Sequence, residues 1–203
     1  MFPRKRSALA LRESKKTRAA LEAGAAALKA LGEPQDEATR ELVAQLLAGM
    51  ELLAQAPNTR IRAARRVQGA SRRRETGAAL LLAACAEVRL RVKRRYRGPR
   101  HAELRRAFGV GLAASAAKPV LVLELADRIL AAVPAHRAEL REVRVQEQTL
   151  MRIGRLTATL REATTARATM TEARRQVRAS LVQIAVSVEK LAAAVRRRAG
   201  GAS

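Results

Sequence analysis

The residues most able to do chemistry in this sequence are its arginines. Arg62, Arg65, Arg66, Arg72 and Arg73 fall on neighbouring rows of a helix, and Arg91, Lys93, Arg94, Arg95 and Arg97 crowd a second stretch. A guanidinium keeps its charge at any ordinary pH and presents a planar fork of N–H donors that matches the oxygens of a phosphate. Between residues 60 and 106 only Glu75, Glu87 and Glu103 oppose these cations. A further cluster, Arg4, Lys5, Arg6, Lys15 and Lys16, stands near the N-terminal end. The pattern suits neutralisation of a polyanion. It makes the cations between 62 and 97 the expected nucleic-acid contacts, with the N-terminal arm assisting.

Covalent and metal chemistry find little to work with. The two histidines, His101 and His136, are not within a helical turn of another His or of Cys85, so no clustered ligand set exists. The i,i+3 pair His136 and Glu139 reads as a solvated first turn of a helix. A nucleophile would need a base beside it, and Cys85 sits in an apolar stretch where packing is its expected role. Gly109-Val110-Gly111 lacks both the preceding strand and the following Lys-Ser/Thr of a phosphate loop. We therefore expect no catalytic residue, no metal and no cofactor: a protein that binds and is not an enzyme. Leu104–Val110 is close to the turn of a helix-turn-helix. Arg105, however, stands where such a turn needs a small residue, and Pro119 cuts short the would-be recognition helix, so a linker is expected.

The charge balance says why binding is the expectation. Forty-one Lys and Arg face 18 Asp and Glu, a net charge of +23 with a pI near 11.8. Ion pairing can absorb at most 18 of those cations, which leaves a surplus that attracts polyanions within about 8 Å at physiological salt. The only aromatic residues are Phe2, Tyr96 and Phe108. Single strands are commonly held by stacking on aromatic rings, so duplex-like, weakly sequence-specific recognition is expected. The lone cysteine excludes an internal disulfide framework. Uncharged runs such as Gly77–Ala86 are far short of the ~20 apolar residues that span a bilayer. No signal peptide is evident, and a cytoplasmic protein without a transmembrane segment is expected.

The elements that must position these residues are helices. Alanine and leucine dominate a hydrophobic content of 48%, and so few aromatics suit close helix packing better than a sheet. The spacing predicts an all-α bundle of about six main helices. The first runs from about Ser7 to Leu31, ended by Gly32 and Pro34. A second opens at Pro34 with Asp36 and Glu37 in its first turn and stops at Pro57, its apolar face being Leu42, Leu46, Met50 and Leu53. Thr59 is expected to cap a third over Arg60–Arg97, with a seam of Ala78, Leu81, Cys85, Val88 and Val92, ended by Gly98-Pro99. A short turn at Ala102–Phe108 and a flexible Gly109–Gly111 follow.

The fourth helix, near Pro119–Val133, is apolar on most sides. Beyond Pro134 a fifth carries Val143, Leu150, Ile153, Thr157 and Leu160. A sixth is expected to begin at Thr169, from the capping-box spacing of Thr169 and Glu172, with a seam of Val177, Leu181, Ile184, Val188, Leu191 and Val195. That spacing belongs to helices packed at a shallow angle.

The two halves align at an offset of 101–103 residues. Lys16 and Leu21-Glu22 meet Lys118 and Leu123-Glu124; Arg40-Glu41-Leu42 meets Arg141-Glu142-Val143; Lys93-Arg94-Arg95 meets Arg196-Arg197-Arg198. This suggests two tandem three-helix units, residues 1–108 with the basic arm and residues 112–203, joined near 109–111. The fragment Tyr96-Arg97-Gly98-Pro99, Glu103-Leu104, Phe108-Gly109 resembles a stretch of uncharacterised, alanine-rich helical bacterial proteins. That resemblance implies helices and a joint, and no function. Two binding roles follow from the whole: sequence-tolerant contact with duplex phosphates, or a structural or assembly protein that docks on an acidic protein partner or forms a homo-oligomer through its apolar seams.

Overall fold

Alanine, leucine and arginine are strong helix formers, and long runs of this chain contain nothing to interrupt them. The computed structural model describes residues 4–34 and 36–200, with residues 4–13 described by their backbone alone. Among the described residues the protein is an all-α helical bundle without strands. The α-helices are α1 (Arg4–Leu31), α2 (Glu37–Ala54), α3 (Ala56–Arg95), α4 (Ala102–Ala107), α5 (Pro119–Ala132), α6 (Arg137–Glu142) and α7 (Glu147–Gly200), and a 3-10 turn spans Pro99–His101.

The start of α2 is fixed by its cap. Asp36 has extended backbone and accepts two hydrogen bonds from Thr39, at 2.8 Å from the backbone N–H and 2.7 Å from the hydroxyl. These donors, the hydroxyl first, hold the Asp36 carboxyl below its ordinary pKa, with the Arg198 guanidinium adding to the effect.

One expected helix boundary is shifted and another is absent. Pro57 lies inside the first turn of α3, where its missing N–H costs nothing. The break between α2 and α3 thus falls two residues before it, near the expected stop, but Thr59 is no cap: its hydroxyl donates back to the Gln55 carbonyl at 3.2 Å. Thr169 likewise starts nothing. It sits within α7, donating to the Thr165 carbonyl at 3.2 Å. The expected fifth and sixth helices are thus one, because no proline and only Gly154 interrupts residues 147–199. Val143 is not on that helix but closes α6, followed by Arg144 at φ 56° and a turn into α7.

The chain divides into two compact units. Unit 1 takes the residues up to Arg65 together with those from Glu172 onward, and unit 2 is Arg66–Thr171. The divisions fall within α3 and α7, away from the joint expected near 109–111, because both long helices run on without a break where tandem units would need a linker. Each unit sets helices from one half of the sequence against the long helix of the other.

In unit 1 the core is Ala20 and Ala27 of α1, Leu46 and Leu53 of α2, and Ala185, Val188, Ala192 and Val195 of α7. Small residues let these helices approach closely. A Cβ placed on Gly49 of α2 would lie 2.7 Å from the Val188 side chain, closer than real contacts come, so this crossing requires glycine. The seam of α7 is shifted from the expected one: Ala185 and Ala192 are buried, while Ile184 and Leu191 are half-buried.

In unit 2 the seam of α3 is buried as expected, from Ala78 through Leu81, Cys85, Val88 and Val92. Against it lie Val122, Leu125, Ala126 and Ile129 of α5, Leu140 of α6, Ile153 and Leu160 of α7, and Phe108. The buried positions of α1 (Thr17, Ala20, Gly24, Ala27) have counterparts 102 residues later in α5 (Pro119, Val122, Ala126, Ile129), which are also buried. Among the described residues, no helix is long and apolar enough to cross a membrane.

Candidate nucleic-acid interface

Within unit 2, α3 presents residues 66–95, about 45 Å of helix at 1.5 Å per residue. Arg66, Gly69, Arg73, Thr76 and Leu80 follow one another at spacings of 3, 4, 3 and 4, so they form one row beside the buried seam. Arg72 flanks that row. Arg66, Arg72 and Arg73 are exposed and take part in no ion pair among the described residues. Arg74, one position on, turns toward the core side, where its Nε is buried without a hydrogen-bond partner. Arg62 and Arg65 are also exposed, on the part of α3 that belongs to unit 1.

The same three arginines rim a groove of about 760 Å³ between α3 and α7 of unit 2. Its floor is apolar, with Gly77, Leu80, Leu156, Ala163 and Met170 among the lining residues, and Glu162 is its acid. The floor is open because α7 buries no residue between 161 and 171 and α3 buries only Ala70 between 66 and 76. Arg167 spans the two helices, donating from Nε to the Ser71 hydroxyl at 3.1 Å.

At the other end of α3 the predicted cations separate into two kinds. Arg91 pairs with Glu87 at 3.1 Å and donates to the Arg144 carbonyl at 3.1 Å. Arg95 donates from Nε to Glu142 at 2.8 Å, and the Tyr96 hydroxyl donates to the same carboxylate. These donors, Tyr96 first and then Arg95, hold the Glu142 carboxyl below its ordinary pKa. Burial, then the carboxylate beside it, pushes the Tyr96 hydroxyl up to about 12. Arg91 and Arg95 therefore tie α3 to α6 and its following turn. Lys93 and Arg94 are exposed and have no ion partner among the described residues, and Arg97 donates from Nε to the Arg94 carbonyl at 3.2 Å.

Near the N-terminal end, Lys15 and Lys16 are exposed on α1. The side chains of Arg4, Lys5 and Arg6 lie outside the described residues. Sequence reasoning missed Arg105, which the structure places beside Lys93, Arg94 and Arg97. No spacing signal links it to them, since the turn at Gly98 brings it there.

The remaining candidate chemistry is accounted for by packing. Cys85 is fully buried, and desolvation pushes its thiol up to about 11, which keeps it protonated and unreactive. His136 stands 3.4 Å from Glu139 and 5.7 Å, ring to ring, from Phe108, while His101 packs at 5.1 Å on Tyr96. Among the described residues no three His, Cys, Asp or Glu side chains group as a metal site would require. The segment read as a linker is built into the core, with Phe108 fully buried and Gly109 in a turn at φ 66°. No helix follows it before Pro119, which removes the helix-turn-helix. Asp127 and Arg161, at 2.7 and 2.8 Å, tie α5 to α7.

No protein-family model matches this sequence, and no curated protein or solved structure shows significant similarity to it.

Proposed function

We propose that this protein binds duplex nucleic acid through its phosphates, without reading base sequence, along the cations of α3, and that it acts by binding and not by catalysis. The observation that carries this reading is the state of the arginines. Arg66, Arg72, Arg73, Lys93 and Arg94 are exposed on one continuous helix and have no ion partner among the described residues, whereas Arg91 and Arg95 have carboxylate partners. Unpaired guanidinium groups displace condensed counterions from a duplex, and that release drives sequence-independent affinity. Tyr96 and Phe108 are buried, so these two rings offer no platform on which single-stranded bases could stack. Lys15 and Lys16 supply further exposed charge on α1.

A second reading has its own observation. The groove between α3 and α7 joins an apolar floor to the rim of Arg66, Arg72 and Arg73, a combination that suits an acidic protein segment with an apolar stripe. Assembly through the helix seams has less to support it, since Leu81, Cys85, Val88, Leu181 and Val188 are already buried within the units.

Fluorescence anisotropy with a random 24-base-pair duplex at 150 mM salt separates the outcomes. Replacing Arg66, Arg72 and Arg73 together with Gln is expected to weaken binding by about tenfold or more, each lost phosphate contact removing part of the counterion term. The double change Arg91→Gln and Arg95→Gln is expected to alter it less than threefold. Equal losses in the two variants would sink the assignment to α3's unpaired row. Wild-type protein that ignores the duplex but binds an acidic amphipathic peptide would favour the second reading.

A further inference from the structure

Where α3 ends, the chain reverses through Gly98, at φ 87°, and enters the 3-10 turn and α4. The reversal creates a surface cleft of about 320 Å³ lined by Leu90, Lys93, Arg94, Arg97, Gly98 and Arg105. Four of the six lining residues are cations and none is an acid. A side chain at φ 87° is strained, so glycine is what allows the turn that carries Arg105 back toward the end of α3.

A helix C-terminus favours positive charge in its last turn, because its unsatisfied carbonyls carry the negative end of the dipole. That preference explains Lys93 and Arg94 in part, and Arg97 through its bond to the Arg94 carbonyl. It does not explain Arg105, which comes from another helix and whose Nε is buried with no hydrogen-bond partner. None of the four cations belongs to an ion pair among the described residues, although nearby Arg91 and Arg95 both do. Mutual repulsion among four cations around one cleft is relieved when an anion enters it. A backbone phosphodiester carries one charge, and a phosphate monoester carries roughly 1.5 to 2 at neutral pH with three acceptor oxygens. The monoester therefore matches the cleft better in both charge and number of acceptors.

We propose that the cleft formed by Lys93, Arg94, Arg97 and Arg105 is a binding site for a phosphate monoester, supplied either by the end of a nucleic-acid strand or by free phosphate. The strand-end source rests on the duplex reading above, while the free-phosphate source does not. Anisotropy is compared for one duplex bearing 5′-phosphates and the same duplex bearing 5′-hydroxyls, and calorimetry with inorganic phosphate reads the site without any duplex.

The strand-end source predicts about tenfold tighter binding of the phosphorylated duplex, in line with the added charge-assisted hydrogen bonds. Arg105→Gln should bring the two duplexes within about twofold of each other, the phosphorylated duplex losing far more affinity than the 5′-hydroxyl one. Lys93→Gln should reduce the same preference, and circular dichroism confirms that both variants keep their helicity. Phosphate binding that Arg105→Gln removes, with neither duplex bound, would support the free-phosphate source and defeat the duplex reading alone. Equal affinity for the two duplexes, with no calorimetric phosphate binding, would overturn the cleft and leave the duplex reading standing.

Discussion

Unit 1 and unit 2 share one plan and carry it out with different side chains. In each, helices from one half of the sequence lie on the C-terminal part of the long helix from the other half. Unit 1 fills the space between them with alanine, so that Ala20, Ala27, Ala185 and Ala192 make up half of its buried core. Unit 2 uses larger residues, Phe108, Leu125, Ile129, Ile153 and Leu160 among them, around the α3 seam. Alanine packing brings helix backbones close and leaves little apolar volume to lose. Large side chains bury more area per residue, and each then matters more when it is removed. Exposed cations occur in both: Arg66, Arg72, Arg73, Lys93 and Arg94 on the α3 of unit 2, and Lys15, Lys16, Arg62 and Arg65 in unit 1, where Arg198 also meets Asp36 at 3.5 Å.

The change expected to have the largest effect tests the core of unit 2. Phe108→Ala should cost about 3–5 kcal/mol, the range for removing a fully buried aromatic ring. Hydrogen exchange should show the loss of protection concentrated in residues 66–171. Protection lost equally from α1 and α2 would mean that the two cores stand or fall together. The matching change in unit 1, Leu46→Ala, should cost about 2–5 kcal/mol and deprotect α1, α2 and the C-terminal part of α7. Urea denaturation of the two variants gives the ranking directly, and a costlier Leu46→Ala would reverse the comparison.

A smaller effect isolates a helix end. Asp36→Ala removes both hydrogen bonds from Thr39 and should lower the urea midpoint by less than either core variant does, with exchange fastest in the first turn of α2. Asp36→Asn, which retains an acceptor oxygen, should restore most of that stability.

The smallest effect is the pH dependence of the Tyr96–Glu142–Arg95 cluster. Glu142 titrates below its ordinary 4.5 in the folded chain. The stability it contributes is thus fully present above about 4.5 and is lost as pH falls through the lower folded value. Tyr96, raised to about 12, acts in the opposite direction: its contribution is complete below 10 and fades as pH climbs toward 12. Thermal melts at pH 3 and pH 6 should differ less in Glu142→Gln than in the wild type. An unchanged difference would show that the cluster is not what titrates.

How much of this was legible in the sequence depends on what each residue had to encode. The α3 seam was readable because its 3-and-4 spacing continues through Val92 with no competing face. The stop at Gly98 was readable because it follows from local backbone chemistry, whereas Asp36, expected inside a first turn opened by Pro34, is the cap from which α2 starts at Glu37. Thr169 misled because a capping-box spacing cannot be distinguished from a threonine that bonds back to the i−4 carbonyl, as Thr157, Thr164 and Thr171 also do in α7. The division into units was not readable. It arises when helices from one half meet the long helix of the other, and no local signal in Gly109–Gly111 records that exchange. The exposed row of Arg66, Arg72 and Arg73 could be foreseen from helical geometry alone. The pairing of Arg95 with Glu142 and the arrival of Arg105 at the α3 terminus both required the tertiary fold.

The central claim is that the unpaired cations of α3 engage phosphates, and the salt dependence of duplex binding tests it most directly. Anisotropy between 50 and 300 mM salt should give a log-linear fall in affinity with a slope of about −0.9 for each phosphate engaged. Replacing Arg66, Arg72 and Arg73 with Gln should flatten that slope by about 2 to 3. A slope that the replacement leaves unchanged, or a duplex that fails to bind even at 50 mM, would contradict the claim.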